Sequence, residues 1–392
     1  MRILHTSDWH VGKRLGRYDR LADHAAVLDE IAAVADDEKA DLVVVSGDLF
    51  DRPAPPVDAL RLVLGALERL ARRRPVVAIA GNHDSPALFD LLAPLLAPRG
   101  VHLVGGIKPP RDGGVLELEA GGERVLVACL PYLREGRAVD FMQDVDGWYR
   151  AYAERLELLI RTYAGHLERH GDGAVTLLVA HLLVRGVRFG AGGGDPTPPP
   201  ARGERPLLLG EAYAVSAEPL GGGPSYAALG HVHTPQEVAG AGAPARYAGS
   251  PLELDFGEAG EPKQVVLVDA VPGAPARCRP RRLTAGRRLL RARGRFDELA
   301  ARPELAEAFL DLEVETDGPD PGLADRARAA FPYLVKVRAV YRHEPRPRRP
   351  RRDAAWDRLY VDYCRRAYGS DPDPALLAAF RQLLDDVLHA PA

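Results

Sequence analysis

Thiols are scarce in this chain: its 392 residues include three cysteines, Cys129, Cys278 and Cys364. They are far apart, odd in number and outside any CxxC spacing, which excludes a disulfide framework and fits reduced, packed thiols in a reducing compartment. Net charge is missing too. The formal value is −3 at pH 7, so no long-range positive field draws a polyanion to the whole molecule, and any site for one must be local. Nor is there a long apolar run. The N-terminus enters strand-like sequence without the apolar stretch of a signal peptide, and nothing approaches the roughly 20 residues of a spanning helix. The expectation is a cytoplasmic chain with no membrane partner. No GxxxxGK[ST] sequence occurs, which places any ATP chemistry outside the chain.

What the chain has is length for two or three domains and five apolar runs built alike. "RILHTSDWH", "DLVVVSGDLFD", "PVVAIAGNHD", "TLLVAHLL" and "YAALGHVH" each join a short β-type stretch to a polar cluster. Continuous runs of this kind read as strands covered on both faces. Helical periods stand between the first three: Val27, Leu28, Ile31, Val34 and Ala35, then Leu60, Val63, Leu64, Leu67 and Leu70. Alternating strand and helix implies an α/β layered fold. The later runs "GVLELEA", "RVLVACLP" and "KQVVLVDAV" read as further strands, and a second sheet packed on the first is expected. The Gly- and Pro-rich stretch from Gly186 to Pro206 predicts a long loop.

Past about residue 282 the texture changes, and strand and helix alternate in a compact unit. The expected division is a main domain over 1–280, a small α/β domain over 283–343, a stiff Pro/Arg linker over 344–353 and a helical pair over 354–390. In that pair Trp356, Leu359, Tyr360, Tyr363 and Cys364 recur at helical spacing, and Gly369 is placed to end the helix. Asp373 and Pro374 suit the start of a second helix, striped by Leu376, Leu377, Phe380, Leu383, Leu384, Val387 and Leu388. Two such helices do not bury both stripes against each other. Either they fold back on the main body or they dock on a protein partner.

The polar clusters carry the chemistry. In a strand, residues i and i+2 share a side, so Asp8 and His10, and likewise His231 and His233, are expected to point at one spot beyond the sheet edge. Asp48, Asn82 and His181 end the other strands. Carboxylate, amide and imidazole without thiolate suit borderline to hard divalent cations, Mn²⁺ first, with Fe²⁺ and Zn²⁺ as alternatives. Seven donors are too many for one ion with an open position, but suit two if a carboxylate bridges, and Asp48 has the two oxygens required. Two cations about 3.5–4 Å apart clamp a phosphate and activate a water. That is phosphoesterase chemistry.

These five elements in this order, together with "TSDWHVGK", "GNHDSP", "YAALGHVHTPQ" and "YAGSPLELDFGE", resemble the calcineurin-like metallophosphoesterases and, more narrowly, the SbcD/Mre-type nuclease family. The resemblance implies an α/β metallophosphoesterase sandwich, two packed sheets flanked by helices, with a small α/β capping domain and a C-terminal helical pair. It implies that one cation takes Asp8, His10, Asp48 and His233, and the other Asp48, Asn82, His181 and His231. His83 matches the family's catalytic histidine, which contacts the scissile phosphate or protonates the leaving oxygen, and an imidazole suits that task. Asp51 could accept a hydrogen bond from His83 and fix its tautomer. Asp84 is expected to hold the loop.

The implied activity is hydrolysis of DNA phosphodiester bonds, exonucleolytic on double-stranded ends and endonucleolytic on single strands, in DNA repair, recombination and replication. The implied partners are DNA, an SbcC-type ABC ATPase bound by the C-terminal helices, and a second copy of the chain, as a homodimer within a heterotetramer. Arginines crowd residues 277 to 295, where phosphate neutralisation is a natural use; Arg287 and Arg288 are the candidate DNA contacts. A phosphoprotein or nucleotide phosphatase on the same scaffold is the alternative. Ala80 stands before "GNHD" where phosphoprotein phosphatases place an Arg, which favours the nuclease. A scaffold with a vestigial site is the other alternative, and the full ligand set argues against it.

Overall fold

The computed structural model describes residues 1–134, 145–190, 214–341 and 356–388. The linker expected over 344–353, the loop predicted from Gly186 to Pro206 beyond residue 190, and residues 354–355 and 389–390 of the helical segment lie outside them.

The first sheet has six strands in the order β12-β11-β1-β2-β3-β4. Strands β1 (Arg2–Thr6), β2 (Leu42–Val45), β3 (Val76–Ile79) and β4 (Val101–Val104) are mutually parallel, and β11 (Gln264–Asp269) and β12 (Arg277–Arg282) join antiparallel at the β1 edge. Parallel neighbours need crossovers, which α1 (Leu21–Asp37), α2 (Val57–Leu70) and α3 (Pro86–Leu96) supply. The stripe foreseen on α1 is buried at all five positions. On α2 the buried stripe is Ala59, Val63, Ala66, Leu67 and Leu70, while Leu60 and Leu64 are only partly covered.

The second sheet, ordered β5-β6-β7-β8-β10-β9, comprises β5 (Val115–Ala120), β6 (Glu123–Leu130), β7 (Val175–His181), β8 (Tyr226–Gly230), β9 (Gln236–Glu237) and β10 (Ala245–Tyr247). Its inner face sets Val125, Val127, Val175, Leu177 and Val179 against Ile3, Leu42, Val44, Val77 and Ile79 of the first sheet. Each such aliphatic side chain contributes about 1.5–3 kcal/mol when fully buried, so the sandwich core is the main source of stability. The outer face is covered by α4 (Val145–His170), to which the sequence reading assigns no element. Leu156, Ile160, Tyr163 and Leu167 are buried on it at helical spacing, and that period was the available signal.

A third sheet holds β13 (Leu289–Arg295), β14 (Phe309–Glu315) and β15 (Leu334–Val340), all parallel. Helices α5 (Phe296–Ala300), α6 (Pro303–Ala306) and α7 (Leu323–Ala330) cover one face around Leu310, Leu312, Val314 and Phe331. On the other face Leu289 and Phe309 pack with Leu15 and Phe256 of the sandwich, beside Tyr18, Tyr333 and Val335. The Tyr18 hydroxyl lies 2.9 Å from the carbonyl oxygens of both Pro332 and Leu334. Leu15 and Tyr18 follow His10 in the chain, and Phe256 precedes Glu258, so the small sheet braces segments that lead to the polar strand ends.

The described residues divide into two compact units, Met1–Glu315 with Asp320–Val340, and Thr316–Pro319 with the C-terminal helices. In the second unit α8 (Trp356–Tyr368) ends at Gly369, whose φ is +75° and whose N–H donates to the Arg365 carbonyl at 3.0 Å. The Asp373 carboxylate accepts from the Ala375 N–H at 2.7 Å and caps α9 (Pro374–Leu388). The Tyr360 and Phe380 rings stack at 4.2 Å, yet Trp356, Tyr363, Leu376 and Leu383 remain 51–65% exposed. Among the described residues no helix is long and apolar enough to cross a membrane.

Candidate metal centre

Alternation along a strand does not gather the polar residues. Strand β1 ends at Thr6, β2 at Val45, β3 at Ile79 and β8 at Gly230, so Asp8, His10, Asp48, Asn82, His231 and His233 all lie on loops beyond them, and only His181 belongs to a strand. Left-handed backbone does the gathering instead. Asp8 (φ +52°), His10 (+46°), Asp48 (+54°) and His231 (+97°) are four of the five non-glycine residues with positive φ among the described residues. The left-handed region costs roughly 1–2 kcal/mol per residue, though Asp is among the residues that visit it most readily. Hydrogen bonds between the loops offset this cost: Asp8 N–H to the Gly47 carbonyl, His10 N–H to that of Asp48 and Val11 N–H to that of Leu49, each at 3.0 Å. Close approach also demands glycine at two positions. A Cβ on Gly47 would stand 2.2 Å from His181 Nδ1, and one on Gly81 would stand 2.1 Å from Asp48 Oδ1.

The result brings all seven expected donors to one place. Asp48 Oδ2 sits midway, 3.4 Å from His10 Nε2 and 3.4 Å from His181 Nε2. On one side His10 Nε2 faces His233 Nε2 at 3.1 Å, and Asp8 joins them with donor atoms within 4.8 Å of one another. On the other side Asn82 Oδ1 lies 2.9 Å from both His181 Nε2 and His231 Nδ1. Tautomers are set from behind: His181 Nδ1 donates to the Ser46 carbonyl at 2.8 Å, and His233 Nδ1 donates to Glu258 Oε1 at 2.8 Å. Both rings therefore turn Nε2 inward, the atom that a cation or a proton takes. Lone pairs of carboxylate, amide and imidazole that face one another at contact distance need a cation or a proton between them, so the residues fit a pair of divalent ions divided at Asp48.

Electrostatics point the same way. Burial lowers His10 well below its ordinary value and lowers His231 to about 3, leaving both neutral. Burial would lower His181 as well, but the Asp48 charge overrides it and raises the group to about 9; Glu258 does the same for His233, also to about 9. Burial pushes Asp8 upward, whereas the histidines around Asp48 outweigh its burial and hold that carboxyl below the usual range. Below about pH 9 the raised histidines carry protons that an entering cation must displace. Mn²⁺ affinity is therefore expected to weaken as pH falls from 8.5 to 6, by about tenfold per unit for each proton displaced. Mn²⁺ titration in lightly buffered solution, with proton release recorded, checks this; affinity flat across that range would contradict it.

His83 sits at the rim, its ring 4.7 Å from that of His10 and its main-chain N–H donating to Asp48 Oδ1 at 2.8 Å. The expected contact with Asp51 exists through a different atom: His83 Nδ1 donates to the Asp51 main-chain carbonyl at 2.8 Å. The Asp51 carboxylate is 3.4 Å from Lys13 Nζ instead. Asp84 ties the loops together, its carboxylate accepting from Gly81 and Phe50 N–H at 2.9 Å and from Leu49 N–H at 3.2 Å.

Four neighbours escaped the sequence reading. Glu258 and Lys263 stand behind His233; Tyr132 stacks on His231 with centroids 5.9 Å apart; Arg134 donates to the carbonyls of Asn82, at 3.2 Å, and Asp84. Tyr132 and Arg134 follow the end of β6 as the ligands follow theirs, a usable signal. Glu258 closes the "YAGSPLELDFGE" stretch, but no local spacing ties it to His233, 25 residues away. Arg287 and Arg288 are placed at the seam between sandwich and third sheet: Arg287 lies 3.6 Å over the Tyr333 ring and Arg288 pairs with Glu253 at 3.0 Å. Their charges are engaged within the chain.

Residues 1–180 match the family model described as calcineurin-like phosphoesterase. Over 99% of its length the chain is 34% identical to the SbcD subunit of the SbcCD nuclease of Bacillus subtilis (strain 168), covering 98% of that protein. The chain belongs to the SbcD family. Subunits of the same name from Rhodobacter capsulatus and Escherichia coli (strain K12) are 30% and 29% identical, over 85% and 68% of this chain and 79% and 64% of theirs. The α/β sandwich with its polar strand ends is thus that of a calcineurin-like phosphoesterase of the SbcD family.

Proposed function

We propose that this chain is a two-cation DNA nuclease, the hydrolytic subunit of an SbcCD-type complex. As a member of the family it is a metal-dependent phosphodiester hydrolase. One observation supports the two-cation reading above the rest: Asp48 Oδ2 stands 3.4 Å from a histidine of each half of the cluster. Asp8, His10 and His233 would hold one ion, Asn82, His181 and His231 the other, with Asp48 shared and Mn²⁺ the favoured metal. When bound, two such ions supply positive charge to the phosphoryl oxygens and lower the pKa of a water.

The chain's own groups do the rest. With Nδ1 committed to the Asp51 carbonyl, His83 has Nε2 free to hold a proton for the departing sugar oxygen or to bond the phosphate. Buried Asp8, His10, Asp48 and His181 keep bulk water from the floor of the site, which strengthens each electrostatic contact. Linear duplex and single-stranded DNA should be cut with Mn²⁺ and not with a chelator, and a phosphomonoester should turn over poorly. Preference for the monoester would select the phosphatase reading instead.

The division proposed is a catalytic domain over 1–280, a cap over 283–343 that helps position duplex ends, and a partner-binding segment over 354–390. The exposed Trp356 and Tyr363 of α8 and Leu376 and Leu383 of α9 support docking on an SbcC-type ATPase, within a heterotetramer built on a homodimer of this chain in the cytoplasm. Removing residues 354–392 should abolish co-purification with the ATPase and spare Mn²⁺-dependent cleavage of single strands. Retained co-purification would reject the segment's role.

A further inference from the structure

The two halves of the proposed centre differ in what stands behind their histidines. His181 is backed by a neutral acceptor, the Ser46 carbonyl, whereas His233 is backed by the Glu258 carboxylate, each at 2.8 Å. Glu258 is 6% exposed, and its other oxygen, Oε2, accepts from Lys263 Nζ at 2.6 Å and from Ser250 Oγ and Leu254 N–H at 3.1 Å. Lys263, also 6% exposed, donates in addition to Glu261 at 2.7 Å, to Ser250 Oγ at 2.8 Å and to the His233 carbonyl at 3.3 Å.

Burying an ammonium and a carboxylate costs several kcal/mol unless both are fully paired. Here both are, and nothing in the reaction uses Lys263. What the pair does is hold one carboxylate oxygen against His233 Nδ1, which fixes the ring and makes the opposite nitrogen a better donor. The ligand charges add to the asymmetry: this half has Asp8 besides the shared Asp48, and the other has neutral Asn82. Glu258 also ends the short turn Phe256–Glu258, and Phe256 is packed with Leu15, Leu289 and Phe309. The third sheet thereby braces the residue that orients His233.

We propose that Glu258, clamped by Lys263, is a positioning residue that makes the Asp8–His10–His233 half the tighter of the two cation sites, so that it fills first. The inference rests on the two-cation reading of the centre. It predicts that full-length, cation-free protein titrated with Mn²⁺, with free ion followed by electron paramagnetic resonance, binds two ions in separate steps. Glu258→Gln, which keeps the size and loses the charge, should weaken the first step by about 10–100-fold and leave the second unchanged. Glu261→Gln, which touches Lys263 but not His233, should leave the first step as in the wild type. Glu258→Asp, which keeps the charge at shorter reach, should fall between wild type and Glu258→Gln, and it carries the test if the Gln variant does not fold. Unchanged binding in the Glu258 variants, or equal weakening of both steps, overturns the proposal while leaving two cations in place. A wild type that binds one Mn²⁺ or none overturns the two-cation reading and this inference with it.

Discussion

Asp48→Asn should reduce Mn²⁺-dependent DNA cleavage by at least about 10³-fold, because cations at such a site supply several kcal/mol of transition-state stabilisation and each 1.4 kcal/mol is a factor of ten. Asparagine is the informative replacement. It tolerates the left-handed backbone at this position, φ +54°, and keeps an oxygen for the His83 N–H now bonded at 2.8 Å. What it removes is the charge between His10 and His181. Circular dichroism and thermal melting should stay near wild type while both Mn²⁺ binding steps weaken. Cleavage within tenfold of wild type would show that Asp48 is not the shared ligand.

His83→Ala should lower cleavage by about 10²–10⁴-fold, the usual range for a positioned acid or base, and should leave Mn²⁺ binding intact. Geometry makes the second half of that statement the sharper one. A His83 ring nitrogen lies within 4.8 Å of donor atoms on His10 and Asp48, so lost Mn²⁺ binding would make His83 a ligand and not a proton donor. Asp51→Ala supplies the contrast. Because the contact to His83 Nδ1 comes from the main-chain carbonyl, this variant should keep most of its cleavage rate. A loss as deep as that of His83→Ala would mean that the carboxylate, not the carbonyl, supports the histidine.

The sandwich was legible because burial on both faces leaves long Val, Leu and Ala runs, and the donors were legible because they interrupt those runs at corresponding places. The way they meet was not. Strand period predicted that Asp8 and His10 share a side, but the strand has already ended at Thr6, and the convergence depends on positive φ, which no period reports. Asp, Asn and His are enriched in that conformation yet adopt it in only a small minority of cases, so residue type alone does not reveal it. Helix α4 was missed although Leu156, Ile160, Tyr163 and Leu167 carry its period, since polar residues between them mask an apolar run. Glu258 and Lys263 were out of reach for another reason. Hydrogen bonding between residues brought together by tertiary folding leaves no local pattern. The arginines are a different case: their abundance drew attention to Arg287 and Arg288, and sequence alone does not report that these side chains also meet Tyr333 and Glu253 within the chain.

The bent main chain at Asp8, His10, Asp48 and His231 has a bearing on how such a centre can change over evolutionary time. Each of these positions is screened twice, once for what the side chain can coordinate and once for whether the peptide can turn there at all. Cysteine, a good ligand elsewhere, fails the second screen more often than aspartate or asparagine does. Replacement by cysteine at these four positions is thereby disfavoured by peptide geometry before any question of metal preference arises.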